Sequence, residues 1–281
     1  MKTRLVATAL IAVLALAGCT SEPVDEVPEG ETEGWASWSV TGNGPTFDYQ
    51  LGGGYEPAPS VELVVRDRTD EPAKGVDTVC YVNGFQSQPG EAEFWQNEHP
   101  ELILRDQSGN PVVDENWPDE FLLDASTVTK RAALVVIIGE WIDGCAADGF
   151  VGVEFDNLDS FTRSGDRITD TDNFALATAL VGRAHEAGLE AGQKNAAEYA
   201  EIGKETIGFD FAITEECYRW DECDAYTDVY LERVYDIEYF DDLARTVKDT
   251  CMDGFELPEH MIFRDRDLVT PDDPAYQLES C

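Results

Sequence analysis

Between residues 47 and 238 the apolar positions fall into short runs that alternate with stretches of helical spacing. The runs Phe47–Leu51, Val61–Arg66, Thr78–Val82, Phe121–Leu123, Phe150–Phe155, Leu189–Gln193, Phe209–Ile213 and Arg233–Glu238 read as strands. One helix starts at Ser126 or Thr127 and repeats Val128, Ala132, Val135, Val136, Ile142 and Cys145 on one side. A second is capped by Asp172, buries Phe174, Ala177, Leu180, Val181 and Ala184, and ends at Gly188. Strands alternating with helices predict parallel α/β construction, and eight strands within residues 35–281 suit a single (β/α)8 TIM barrel. A long insertion, residues 83–120, holds Trp95, Asp106, a Gly109-Asn110 turn and Trp117-Pro118. It either shapes a binding cleft or covers the barrel mouth.

The pattern changes at the amino terminus. Lys2 and Arg4 precede an apolar stretch, Leu5–Leu16, and small residues follow, so residues 1–18 read as a signal peptide. The stretch is too short to favour a retained membrane span. Leu16-Ala17-Gly18-Cys19 resembles a bacterial lipobox, which implies lipidation of Cys19; simple cleavage and secretion is the alternative. Residues 19–34, rich in acids and proline, form a disordered linker. The expected product is an exported monomer, lipid-anchored at the cell surface or periplasmic face and touching the membrane through that anchor only.

Composition narrows the partners. Lys and Arg total 19 against 58 Asp and Glu, a net charge of -39, so nucleic acid is excluded. The acidity suits solubility outside the cell or in a salty habitat, or attraction of a cationic substrate. Beyond Cys19 the cysteines are Cys80, Cys145, Cys217, Cys223, Cys251 and Cys281, an even set in an exported chain. Cys217 with Cys223 would close a small loop, Cys251 with Cys281 would pin the tail and Cys80 with Cys145 would remain, other pairings staying open. His99, His185 and His260 are scattered, and neither a metal site nor an organic cofactor is expected. Asp166, Asp170 and Asp172 lack the EF-hand spacing and fit a solvated turn and helix cap. His185 fits a helix-end role.

Candidate chemistry lies where strands end. Phe150–Phe155 runs straight into Asp156-Asn157-Leu158-Asp159, and the carboxyl ends of barrel strands are where catalytic side chains stand. Alternation puts Glu154 and Asp156 on one face and Val153 and Phe155 on the other. Other strand ends offer Asp67, Tyr81, Asp124, Lys194-Asn195, Glu215 and Glu238-Tyr239. Glycoside hydrolysis needs one carboxyl to protonate the leaving oxygen and another to attack or stabilise the anomeric carbon. Asp156 and Glu215 are the best pair, with Glu215 expected to favour its protonated form among apolar walls. Asp67, Tyr81, Asp124, Asn157, Lys194, Asn195, Glu238 and Tyr239 are the substrate-binding candidates, and Glu154 supports from deeper in the barrel. For Asp124 and Asp159 a turn or helix cap is an equal reading.

Val79-Cys80-Tyr81, Asp148 through Asp159, Ala184 through Leu189, Lys194-Asn195, Glu215-Glu216-Cys217, Asp221-Glu222-Cys223 and Ile237-Glu238-Tyr239, in this order, resemble glycoside hydrolase family 114. That resemblance implies a barrel fold, endo-α-1,4-polygalactosaminidase activity on galactosamine-containing polysaccharide, and the pair Asp156 and Glu215. It also implies a Cys217–Cys223 bridge. Two segments depart from the family: Asn83-Gly84-Phe85-Gln86 stands where Ser-Ala-Gly is usual, and Thr214 replaces a common Asn. A non-catalytic carbohydrate-binding barrel and a hydrolase of another glycan are the alternatives.

Overall fold

The computed structural model describes residues 44–252 and 257–281. The expected signal peptide, Cys19 and the expected linker lie outside the described residues. Nine strands form one sheet in sequence order: β1 (Phe47–Gln50), β2 (Leu63–Asp67), β3 (Asp77–Asn83), β4 (Gly152–Asp156), β5 (Glu190–Lys194), β6 (Phe211–Glu215), β7 (Val234–Tyr239), β8 (His260–Arg264) and β9 (Leu278–Ser280). β1 to β8 pair in parallel, as in a TIM barrel, and β9 pairs antiparallel with β8. The helices are α1 (Ala92–Glu98), α2 (Val128–Asp148), α3 (Asp170–Glu186), α4 (Ala200–Ile202), α5 (Cys223–Tyr230) and α6 (Val247–Cys251).

The main apolar cluster lies between the strands and the helices: Val82, Val153, Phe155 and Ala212 pack with Leu134, Ile138 and Ile142 of α2 and Leu176, Leu180 and Val181 of α3. α2 begins at Thr127, whose hydroxyl accepts from the Lys130 amide, and ends at Gly149 with φ 96°. α3 corrects the expected cap. Thr169 is the N-cap and Asp172 its reciprocal partner three residues on, a capping box satisfying two otherwise free amides.

One expected strand is not part of the barrel. Phe121–Leu123 belongs to the insertion, where it makes isolated antiparallel bridges with Gln86, Ile103 and Val113. β4 takes the place beside β3, and the eighth strand is His260–Arg264. Both segments present three successive apolar residues, so periodicity alone could not rank them.

Side chains close the β8-to-β1 side. Buried Arg264 donates to the Asp48 carboxylate at 3.2 Å, to the Tyr49 carbonyl, and to the carbonyls of Val269 and Gln277. His260 Nδ1 lies 2.9 Å from the Thr46 hydroxyl. Disulfides join Cys80 to Cys145, Cys217 to Cys223 and Cys251 to Cys281, the grouping considered from the sequence. They fasten β3 to α2, close the loop after β6 and hold the chain end to α6.

Candidate active site

Glu154, Asp156, Lys194 and Glu215 stand on three adjacent strands, β4, β5 and β6, and converge on one ammonium. Lys194 Nζ lies 3.0 Å from Glu215 Oε2, 3.5 Å from Glu154 Oε1 and 3.8 Å from Asp156 Oδ2. A buried ammonium is tolerated only when paired. Burial pulls the Lys194 pKa down, but the carboxylates of Asp156, Glu215 and Glu154 outweigh it and hold it well above the usual lysine value.

Three acids around one cation cannot share it equally. Burial, with Asp156 and Glu215 nearby, pushes Glu154 up to about 8 despite Lys194 and a 2.9 Å hydrogen bond from Tyr49. Glu215 goes the other way. Burial would raise it, but Lys194 and hydrogen bonds from Tyr239, Lys194 and Asn195 lower it below the usual glutamate value. The expectation that apolar walls favour protonated Glu215 is therefore overturned for the ligand-free protein.

Neighbouring groups fix the two acids. Tyr81 donates to Asp156 Oδ2 at 2.7 Å, and the Asn157 amide approaches Oδ1 at 2.7 Å. Asn195 Nδ2 donates to Glu215 Oε2 at 3.1 Å, while its Oδ1 accepts from the Glu215 amide at 2.8 Å. Tyr239 donates to Glu215 Oε1, and Arg266 lies over the Tyr239 ring at 4.4 Å. Asn157, Asn195 and Glu216, each following a strand-end residue of the site, have φ of 66°, 50° and 63°. Left-handed backbone at a non-glycine residue costs about 1–3 kcal/mol, and such strain gathers where the surrounding structure holds functional groups in place.

Two sequence candidates, Glu238 and Asp124, lie elsewhere, and a third, Asp67, is engaged outside the cluster. Alternation along β7 sends Tyr239 toward Glu215 but Glu238 to the opposite face, where it accepts from the Tyr218 amide at 2.9 Å and sits with Asp236. Burial and this second acid raise Glu238 to about 9, and burial raises Asp236 to about 6. Asp124 is not at a barrel strand end. It accepts from Ser126 and pairs with Lys130, fastening the start of α2. Asp67 closes the β2 turn through the Thr69 amide and hydroxyl and accepts from Gln88.

Sequence reasoning missed three contributors. Tyr49 bridges Glu154 and Lys194, the latter donating to its hydroxyl at 3.1 Å; its inward position on β1 follows from alternation. Arg163 donates to Asn157 Oδ1 at 2.9 Å and pairs with Asp159 at 3.0 Å and Asp114 at 2.8 Å, tying the insertion to the turn after Asp156. Glu120, deep in the insertion, accepts from Gln86 and Asn83 at 3.0 and 3.3 Å; no local pattern marks it. The cluster Cys217, Cys223 and Asp236 has metal-like spacing, but its sulfurs are spent in a disulfide.

The family model of glycoside-hydrolase family GH114 matches residues 28–281. No curated protein matches. Among solved structures the chain is similar to Aspergillus fumigatus Ega3 in complex with galactosamine, with a TM-score of 0.67 and 20% identity, covering 85% of this chain and 95% of that one. It is also similar to the glycoside hydrolase domain of PelA from Pseudomonas aeruginosa, with a TM-score of 0.50 and 14% identity, covering 81% of this chain and 98% of that one.

Proposed function

The chain belongs to glycoside-hydrolase family GH114, and we propose that it is an exported lipoprotein cleaving α-1,4-linked galactosamine-containing polysaccharide internally, with Asp156 as nucleophile and Glu215 as general acid and base. The observation behind this reading is that the two carboxylates, on β4 and β6, share Lys194 at the carboxyl ends of the barrel strands. Galactosamine bound in the structurally similar Ega3 supports the sugar class. A net charge of -39 would draw in a polymer carrying free amines. Leu16-Ala17-Gly18-Cys19 supports lipidation after residues 1–18 are removed, leaving 19–34 as tether and 35–281 as the catalytic domain. Among the described residues no helix is long and apolar enough to cross a membrane.

Asp156 Oδ2 and Glu215 Oε2 lie 3.8 and 3.0 Å from the same nitrogen. They are therefore at most about 7 Å apart, against about 5–5.5 Å for retention and about 6.5–9.5 Å for inversion. The bound excludes only the wider part of the inverting range, and retention is the course we propose. Asp156, steadied by Tyr81, attacks the anomeric carbon while Glu215 gives its proton to the departing oxygen. Glu215 then takes a proton from the water that releases the sugar from Asp156. Glu215 must be protonated for the first step, so Lys194 has to leave it as substrate enters, keeping Asp156 and Glu154 as partners.

Asp156→Asn and Glu215→Gln should each lower cleavage of partly deacetylated α-1,4-galactosamine polymer by about 10²–10⁴-fold while melting curves stay unchanged. Full activity in both variants rejects the assignment. Trapping the glycosyl-enzyme and mapping the labelled peptide checks the roles: a label on Asp156 supports them, one on Glu215 reverses them.

A further inference from the structure

We propose that Glu120 is a specificity-determining residue which accepts the ammonium of a deacetylated amino sugar seated against Asp156. The inference deepens the functional reading above and rests on it. Its first support is position. Asn83 is the ladder partner of Asp156 across β3 and β4, so both face the same side of the sheet, and Asn83 Nδ2 donates to Glu120 Oε2 at 3.3 Å. Gln86 Nε2 donates to that oxygen at 3.0 Å, and the Gln86 amide is held by Asn83 Oδ1 at 2.9 Å. The insertion thus delivers a third acid beside Asp156.

The second support is a missing counter-charge. Glu120 is only 7% exposed, yet among the described residues neither lysine, arginine nor histidine pairs with it. Its partners are two neutral amides, and the charges of Asp156 and Asp114, which raise its pKa, are of its own sign. Arg163, the nearby guanidinium, is engaged with Asp114, Asp159 and Asn157 and reaches the side-chain oxygen Oε1 of Gln86, at 3.5 Å. Burying a carboxylate without a cation is costly, and burial together with these acids pushes Glu120 up to about 7. Oε1 has no donor among the described residues and can accept one from a ligand.

These features select by charge. A 2-ammonium group supplies both the missing cation and the donor, whereas an acetylated nitrogen supplies no charge and adds a bulky acyl group. The cradle is built by Asn83 and Gln86.

The test measures binding of free-amine and N-acetylated α-1,4-galactosamine oligomers by calorimetry to Glu215→Gln, alone and combined with Glu120→Gln or Glu120→Asp, with melting curves checking each fold. The preference for the free-amine oligomer should fall about tenfold with Glu120→Gln, the loss expected for a charge-assisted hydrogen bond, and return in part with Glu120→Asp. A preference unchanged by Glu120→Gln, or lost equally in both variants, overturns the proposal. If Glu120→Gln does not fold, Glu120→Asp decides: weaker binding of the free-amine oligomer alone supports the proposal, and equal weakening of both oligomers overturns it. If neither oligomer binds Glu215→Gln, the functional reading and this inference both fall. A Glu120-dependent preference in a wild-type protein that cleaves neither polymer leaves this inference standing and rejects only the catalytic reading.

Discussion

Lys194 decides the protonation of the site, because it is the only cation in direct contact with Glu154, Asp156 and Glu215 among the described residues. Replacing it with methionine removes the group that holds Glu215 low, so burial and the remaining carboxylates should raise Glu215. The acid form of Glu215 would then persist to higher pH. Lys194→Met should therefore move the alkaline limb of kcat/KM upward by about one pH unit or more, even as the maximum rate falls with the lost support of Asp156. A pH profile recorded on soluble oligomer checks this, and an unmoved limb would separate Lys194 from Glu215 titration. Residue identities alone could not have predicted this balance: Lys194 and Glu215 are 21 positions apart, and three strands must pair before one ammonium meets three acids.

At the scale of elements, most strands were legible because their apolar runs are bounded by polar turns, as at Phe150–Phe155 and Phe209–Ile213. The eighth strand was not, since Met261-Ile262-Phe263 carries no more signal than Phe121-Leu122-Leu123, and only sheet pairing distinguishes them. The strand-end rule found Asp156, Lys194 and Glu215, but applied without alternation it took Glu238 along with Tyr239. Glu120 escaped because an irregular insertion has no period from which to read a facing side. Strand β5 also shows what close packing demands inside the barrel. A Cβ at Gly192 would stand 2.3 Å from the Phe211 ring, and that ring is fixed on the neighbouring strand. Gly192→Ala should cost about 1–3 kcal/mol, seen as an earlier midpoint in urea.

Across the whole molecule, the ninth strand has a role unrelated to catalysis. Among the described residues, the β8 backbone groups facing away from β7 are paired by residues 278–280, a three-residue strand. The Cys251–Cys281 link keeps those residues there. An open strand edge is a template on which another copy of the same chain can pair. Cys281→Ser should lower stability by about 3 kcal/mol and, at high concentration, yield more oligomer by light scattering than the parent. Keeping the β8 edge from a second copy would then depend on one covalent link, between Cys251 and Cys281, that takes no part in the catalytic cluster.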